Sequence, residues 1–463
     1  MERMNGLSSL FSKDVRSHPL RLQPGQVFTG RVLKLFPHHM AALRLGTTTL
    51  TAHLEAALTA EQSYLFQVKE HEGIPKLRVL SQQEGLHTHL WVDSAVKTLH
   101  SLGLPDNRTN RTLLSLFQQE QLPFTKEMLQ EGSRLLKQLN RLNTKGAQTL
   151  SFLEQKQLPL NRFMFESAYQ ALYGEKTLAF HMKQLSALLS QSDTAVSGSE
   201  NRLRRVLERT WSSMRIDHLQ QSASPQVAHF SKGVLTDQEK TALTDVLEQA
   251  FPNPKISAGQ SYIAEKVLAL IKQLGLESHQ PSSAREVDNF HHLESLRKTL
   301  IDCVTELEGP VRKQAETLLQ KLVGQQLLSH GSSDTVQQTV LQLPLTILNY
   351  ETDLHIHWEG KKKQDGSLDP DYCRILFYLE MEFLGETIAD VHIQNRFVTV
   401  HIFNDQPKPD RLFELLRPLL EERLTALDYK LSSVNWRQVK ENKKTKQSAN
   451  HPQSGRGGVD IRI

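Results

Sequence analysis

Several features are missing from this 463-residue chain. No apolar run approaches the ~18–20 residues that cross a bilayer. The N-terminus, Met1-Glu-Arg-Met-Asn-Gly6, lacks a charged-then-apolar leader pattern. These absences predict a cytoplasmic protein without membrane insertion. Only two cysteines occur, Cys303 and Cys373, far apart in sequence. That spacing excludes a disulfide framework or a cysteine ligand pair and fits reduced thiols. The chain has no phosphate-binding glycine loop, no G-x-S-x-G, no C-x-x-C and no H-E-x-x-H. No catalytic residue, cofactor or metal site is therefore expected, and a non-enzymatic role is.

Twenty histidines are present, so a metal site needs weighing. His355 and His357 share one strand face, as do His87 and His89 if that stretch is extended. His38-His39 and His291-His292 are adjacent and diverge. No carboxylate or cysteine accompanies any of them at ligand spacing, and all read as solvated side chains. Asp365, Asp369 and Asp371 resemble half a calcium loop. Pro370 and the missing bidentate glutamate make it an ordinary turn. Glu380 and Glu382 read as one strand face and not as an acid–base pair.

Charge is unevenly placed. The formal net charge is +4, yet Arg437 to Gly457 alone holds an excess of five positive charges. The rest of the chain is close to neutral, which argues against a broad nucleic-acid face on the body.

The chain length predicts roughly two to four domains, and the patterning predicts an α+β multidomain protein. Residues 1–21 read as a flexible N-terminus. Residues 22–82 read as a small OB- or SH3-like β-barrel, with five short runs of period-2 alternation. Phe28, Phe36, Tyr64 and Phe66 are expected to fill its core. Residues 86–189 turn helical. Gln121-Leu-Pro-Phe-Thr125 and Gln157-Leu-Pro-Leu-Asn161 echo each other, and Leu104-Pro105 is a looser copy. Thr125 and Asn161 have the chemistry of N-caps. Phe124 and Leu160 stand at staple spacing from Leu129 and Phe165.

After a polar linker, residues 200–330 form a second helical region. It includes a capping box at Thr236 and Glu239, a helix closing at Gly275, and a helix opening at Pro310. Residues 335–437 read as a sheet-and-helix domain, and 438–463 as a basic flexible tail. In the sheet, Ile375, Phe377, Leu379, Met381 and Phe383 form one apolar face, with Glu380 and Glu382 opposite. Leu384-Gly385 and Asn395-Arg396 mark hairpin turns. A leucine-rich helix follows Pro409-Asp410 and should cover the sheet, with Pro418 predicting a kink or a break.

The run Leu379–Trp436 resembles the C-terminal domain of flagellar hook-length control proteins. Leu384-Gly385 matches that family's Leu-Gly element. Ile388, Val391 and Ile393 match its first strand, and Val398, Val400 and Ile402 its second. Leu412, Leu416, Leu419 and Leu424 match its helix, and Tyr429, Leu431 and Val434 its last strand. Met381 and Glu382 stand where the family has prolines. Over its full length the chain is similar to uncharacterised Firmicutes proteins of this type, sharing Gly324–Leu328, Trp358–Lys363 and the ending Gly458–Ile463.

The resemblance implies a docking domain for the cytoplasmic domain of a type III export-gate switch protein, or a related stand-alone fragment. It would influence export substrate specificity. Leu384, Gly385, Val391, Ile393, Val398, Val400, Leu416 and Leu419 are the implied partner-binding residues. The alternative is a nucleic-acid-binding protein that uses the barrel and the tail lysines Lys443, Lys444 and Lys446.

Overall fold

The structure, a computed structural model, describes residues 22–45, 48–56, 58–70, 74–83, 88–191, 198–216, 262–276, 295–329, 336–347, 350–363 and 368–438. The capping box at Thr236, the residues His87, His291, His292 and Asp365, and the tail lysines lie outside them. Among the described residues no helix is long and apolar enough to cross a membrane.

Strands β1 (Val27–Phe36), β2 (Met40–Leu45), β3 (Thr48–Leu54), β4 (Ser63–Glu70) and β5 (Lys76–Gln83) close into a barrel in the order β1-β2-β3-β5-β4. Alternate residues point inward, and Phe28, Val32, Leu43, Tyr64, Phe66 and Leu77 are among those that fill it. Phe36 does not join them. It is 41% exposed, because a bulge between Val32 and Lys34 shifts the register and turns the later residues of β1 over. Val27 and Leu65 point out of the barrel into a helical core. Val27 also exchanges two backbone hydrogen bonds with Phe124, of 2.6 and 2.9 Å, which fastens barrel to helices.

Five short helices follow: α1 (Thr88–Ser101), α2 (Arg108–Gln119), α3 (Lys126–Gln138), α4 (Thr144–Gln155) and α5 (Arg162–Tyr173). One joint recurs between them. The preceding helix ends on a left-handed residue: Gly103, Gln121 or Gln157, with φ of 64°, 53° and 54°. The next residue is leucine, and its N–H donates back into the helix, to the carbonyls of Leu99, Phe117 and Leu153 respectively. Proline follows. Then Asn107, Thr125 or Asn161 accepts from the N–H three residues on, at 2.8, 3.1 and 2.9 Å. The echo in the sequence is thus one structural joint, and Leu104-Pro105 is a full copy of it. A fourth joint at Asn140–Asn143 keeps the same bonds in one residue fewer.

A second core gathers α6 (Leu178–Gln191), α7 (Gly198–Met214), α8 (Tyr262–Leu274), α9 (Leu296–Cys303) and α10 (Gly309–Ser329). Leu343 and Leu345 of the C-terminal sheet are buried in it too, so one core crosses the expected boundary near residues 330–335. Helix α10 also reaches the first core through Leu327 and Val323. It crosses α5 at Gly324, where a Cβ would stand 2.2 Å from the Ser167 carbonyl oxygen. Only a glycine lets the two backbones approach this closely.

The C-terminal sheet has six long strands: β7 (Val336–Ile347), β8 (Tyr350–Lys362), β9 (Leu368–Met381), β10 (Gly385–Gln394), β11 (Phe397–Asn404) and β12 (Lys430–Gln438). The two-residue β6 (Arg215–Ile216) pairs in parallel with β7 at one edge. Further along that edge the Ser329 hydroxyl at the end of α10 donates to the Val340 carbonyl and accepts its N–H, at 3.3 and 2.7 Å. Both devices occupy polar backbone that an edge strand otherwise presents to other chains. Pro344, which has no N–H to donate, sits in this edge strand as expected. At the other end β11 and β12 run parallel, joined by the crossover helix α11 (Asp410–Ala426). Helix α11 passes through Pro418 as a single helix. Pro418 lies on the exposed side, and of the expected kink or break the break does not occur.

His355 and His357 are not the solvated residues the alternation predicts. His357 is 3% exposed, and His355 stacks edge-on against Tyr378 with centroids 5.5 Å apart. Lys321 of α10 acts on this face, and Asp353 and Val340, which share it, are buried. Both faces of the sheet are therefore occupied at its β7–β8 end. Burial, and secondarily the Lys321 charge, pull the His355 imidazole down to about 4.

Two outcomes follow. Gly324→Ala should destabilise the protein by about 2 kcal/mol or more, as α5 and α10 are pushed apart; urea denaturation measures it. The folded pKa of His355 lies below its ordinary value, so the unfolded chain takes up that proton first as pH falls. The stability tied to neutral His355 is complete above about pH 6.5 and is lost toward pH 4. Asp353, whose burial pushes its carboxyl up, opposes this in part. The loss between pH 7 and 4.5 should accordingly be about 2–3 kcal/mol smaller in His355→Gln than in the parent. Equal losses in the two proteins would refute the assignment.

Candidate docking surface

Directly opposed residues on neighbouring strands share a sheet face, so the pairing register assembles the surface row by row. One row runs Trp358, Ile375, Val391, Val400, Val434 across β8 to β12. The next runs Ile356, Phe377, Ala389, Ile402, Trp436. A third joins Cys373, Ile393, Val398 and Leu431. Nearly every member is apolar. The alternating sequence of each strand thus builds one continuous apolar face.

The burial of this face is the unexpected part. At the β7–β8 end the second helical core covers it as far as Leu354 and Ile356. Beyond that, Ile375, Phe377, Leu379, Ala389, Val391, Ile393 and Ile402 are only half-buried, and none belongs to a hydrophobic core cluster. Val398 and Val400 are buried, at 2% and 8% exposure. Helix α11 lies over the far end, where Phe413 meets Trp436 edge-on at 6.3 Å. Its leucines do not seal against the strands: Leu412, Leu416, Leu419 and Leu424 are half-buried, and Leu420 is exposed. The result is a partly open apolar trough across β9 and β10, between the helical body and α11.

The opposite face, which carries Glu380, is the better packed one. Leu376, Tyr378 and Ile388 are buried there against Phe403. Beside them Arg374 grips Asp390 with two hydrogen bonds of 2.9 Å, and His392 Nε2 lies 3.0 Å from the same carboxylate. Burial works to raise the Asp390 pKa. The Arg374 and His392 contacts outweigh it and hold the carboxyl below its ordinary value.

Of the residues implied as partner-binding, Val391, Ile393, Val398 and Val400 come together in adjacent rows of the trough. Leu416 and Leu419 are on α11 beside it. Leu384 and Gly385 stand apart, at the β9–β10 turn, roughly 20 Å along β10 from Val391 at ~3.3 Å per residue. Gly385 has φ +67° and open space around it, so it is there for the turn. Phe383 at the tip is 65% exposed. What holds this turn is a residue that sequence reasoning missed. Asn404, fully buried at the end of β11, donates through its amide nitrogen to the carbonyls of Leu384 and Glu386, each at 3.0 Å, and to the Thr387 hydroxyl at 2.7 Å. Its amide oxygen accepts the Gln406 N–H at 2.7 Å. A lone asparagine at a strand end carries no sequence signal for such a role.

The second turn is legible. Asn395 and Arg396 both have positive φ, as a two-residue type I′ hairpin requires. Arg396 pairs with Asp371 and Asp428. Among the described residues no group of His, Cys, Asp and Glu could hold a metal ion. Both thiols are buried, and burial pushes them up.

Comparison with known proteins adds one relative. Over 205 residues, 43% of this chain, it is 27% identical to the uncharacterized protein YlqG of Bacillus subtilis (strain 168). The match takes in 35% of that protein, so the chain spans about a third of the length of the curated relative it matches. No family model matches the chain, and no solved structure matches it.

Replacing Asn404 should loosen the β9–β10 turn. Asn404→Ala leaves buried acceptors without donors and should cost about 2–3 kcal/mol. Amide exchange at Leu384 to Thr387 should speed up more than exchange along α2 to α5. Uniform loss of protection across the chain would contradict the local role.

Proposed function

We propose that this chain is a non-enzymatic interaction protein whose C-terminal sheet-and-helix unit docks on the cytoplasmic domain of a type III export-gate switch protein, or on a related stand-alone fragment, in the cytoplasm. The single observation behind this reading is the half-buried apolar trough across β9 and β10. Burying apolar surface is the main driving force of association, at roughly 25 cal/mol per Å². Val391 and Ile393, half-buried in the trough, are among the residues that the resemblance to hook-length control proteins implies as partner contacts. Phe383, displayed beside Leu384 at the turn, supplies an aromatic of the kind that anchors interfaces.

The barrel is proposed to be OB-like. Its strand order, with β3 and β5 parallel, supports that type over an SH3-like one.

Titrating the full chain with the purified cytoplasmic domain of an export-gate switch protein, by calorimetry, tests the docking. Binding is expected, and Val391→Ala and Phe383→Ala should each weaken it by about fivefold or more. Absence of binding at high micromolar concentration would sink the reading, as would equal affinities for parent and variants.

A further inference from the structure

The near-neutral charge of the body averages over unlike surfaces. From Val15 to Leu54 the sequence contains no Asp or Glu, while β1 to β3 carry Arg31, Lys34, Arg44 and His53. The pairing register places all four on the outer wall of the barrel. Arg31 opposes Arg44, which opposes Thr49. Lys34 opposes Ala42, which opposes Thr51. Phe36 opposes Met40, which opposes His53. The other side of the same strands, with Val32, Ala41, Leu43 and Ala52, faces the barrel core.

Two features of this wall are costly for a barrel with no ligand. Arg31 and Arg44 stand directly across from each other, and like charges in that relation repel. Glu61 answers Arg31 at 2.6 Å. Among the described residues no carboxylate pairs with Arg44 or Lys34. The bulge in β1 meanwhile turns Phe36 outward, with the Lys34 ammonium 5.5 Å from its ring centroid. A cation row in which, among the described residues, only Arg31 has a carboxylate partner, set beside an exposed ring, matches the two chemical halves of a nucleotide, phosphate and base. Arg31, Lys34, Phe36 and Arg44 are all exposed, and the helices meet the barrel at the other end of β1, through Val27, and through Leu65.

We propose that the outer wall of β1, β2 and β3 binds single-stranded nucleic acid. Arg31, Lys34 and Arg44 contact successive phosphates, and Phe36, with Met40 beside it, stacks a base. A ring on a sheet surface reaches only an unpaired base, and a wall of three strands about 10 Å across fits one backbone. This site is separate from the docking trough and does not depend on it.

Fluorescence anisotropy with labelled oligothymidylate and oligouridylate and the full chain tests the assignment. Binding should weaken with salt at a log–log slope of about −2, from three phosphate contacts at ~0.7 each. Arg44→Gln should reduce the magnitude of that slope by about 0.7, and Arg44→Glu should weaken binding further. Phe36→Ala should cost about tenfold. Replacing the tail lysines Lys443, Lys444 and Lys446 together by Gln should leave affinity unchanged. Thermal melts confirm that each variant is folded, and Arg44→Gln decides the matter if Arg44→Glu is not. The proposal is overturned if Arg44→Gln binds like the parent, or if the tail variant abolishes binding. It also fails if duplex DNA or phosphatidylserine vesicles are bound and the single strand is not.

Discussion

Where α10 crosses α5, the missing side chain of Gly324 lets the helices touch at the Ser167 carbonyl, and much of the molecule is anchored by that contact. The same helix reaches into both hydrophobic cores. Its end closes the exposed edge of β7 through Ser329. Lys156, buried at the last joint of the helical array, donates to the Leu328 carbonyl in the final turn of α10 at 3.3 Å, a favourable place for a cation. Burial pulls that ammonium down to about 8. Barrel, helices and sheet are thus tied through one helix and are not beads on a linker.

This tie also explains the unequal sheet. Near α10 both faces are packed: Leu354 and Ile356 lie against the helical core on one, and His357 is buried on the other. Farther away, among the described residues, α11 is what lies over the apolar face, and it is held mainly to β12. The apolar face of β9 and β10 is left half-open, while the less apolar face packs around Tyr378.

How much of this the sequence made legible depends on how local the cause is. The Leu-Pro-x-cap joints are settled by neighbouring residues, and Thr125 and Asn161 cap as their chemistry requires. The Asn395-Arg396 hairpin is equally local. Phe36 was legible only up to the bulge, since one extra residue inverts every later side chain of the strand. His355 and His357 were misread because alternation reports which residues share a face, and not what lies above it. β6 is two residues long, and its partner in β7 is remote in sequence; no local pattern announces it. The trough rows were readable as alternation, but their partial exposure is a property of the packed whole.

The recurring joint between the short helices has a geometric corollary. Each joint fixes the exit direction of one helix and the entry of the next through bonds among a handful of consecutive residues. The angle between neighbours is therefore a property of the joint and not of helix length. Lengthening a helix by a whole turn would slide its successor about 5.4 Å along the axis without re-aiming it. A single inserted residue would swing everything beyond it by about 100°, carrying the apolar stripe of every later helix away from the core.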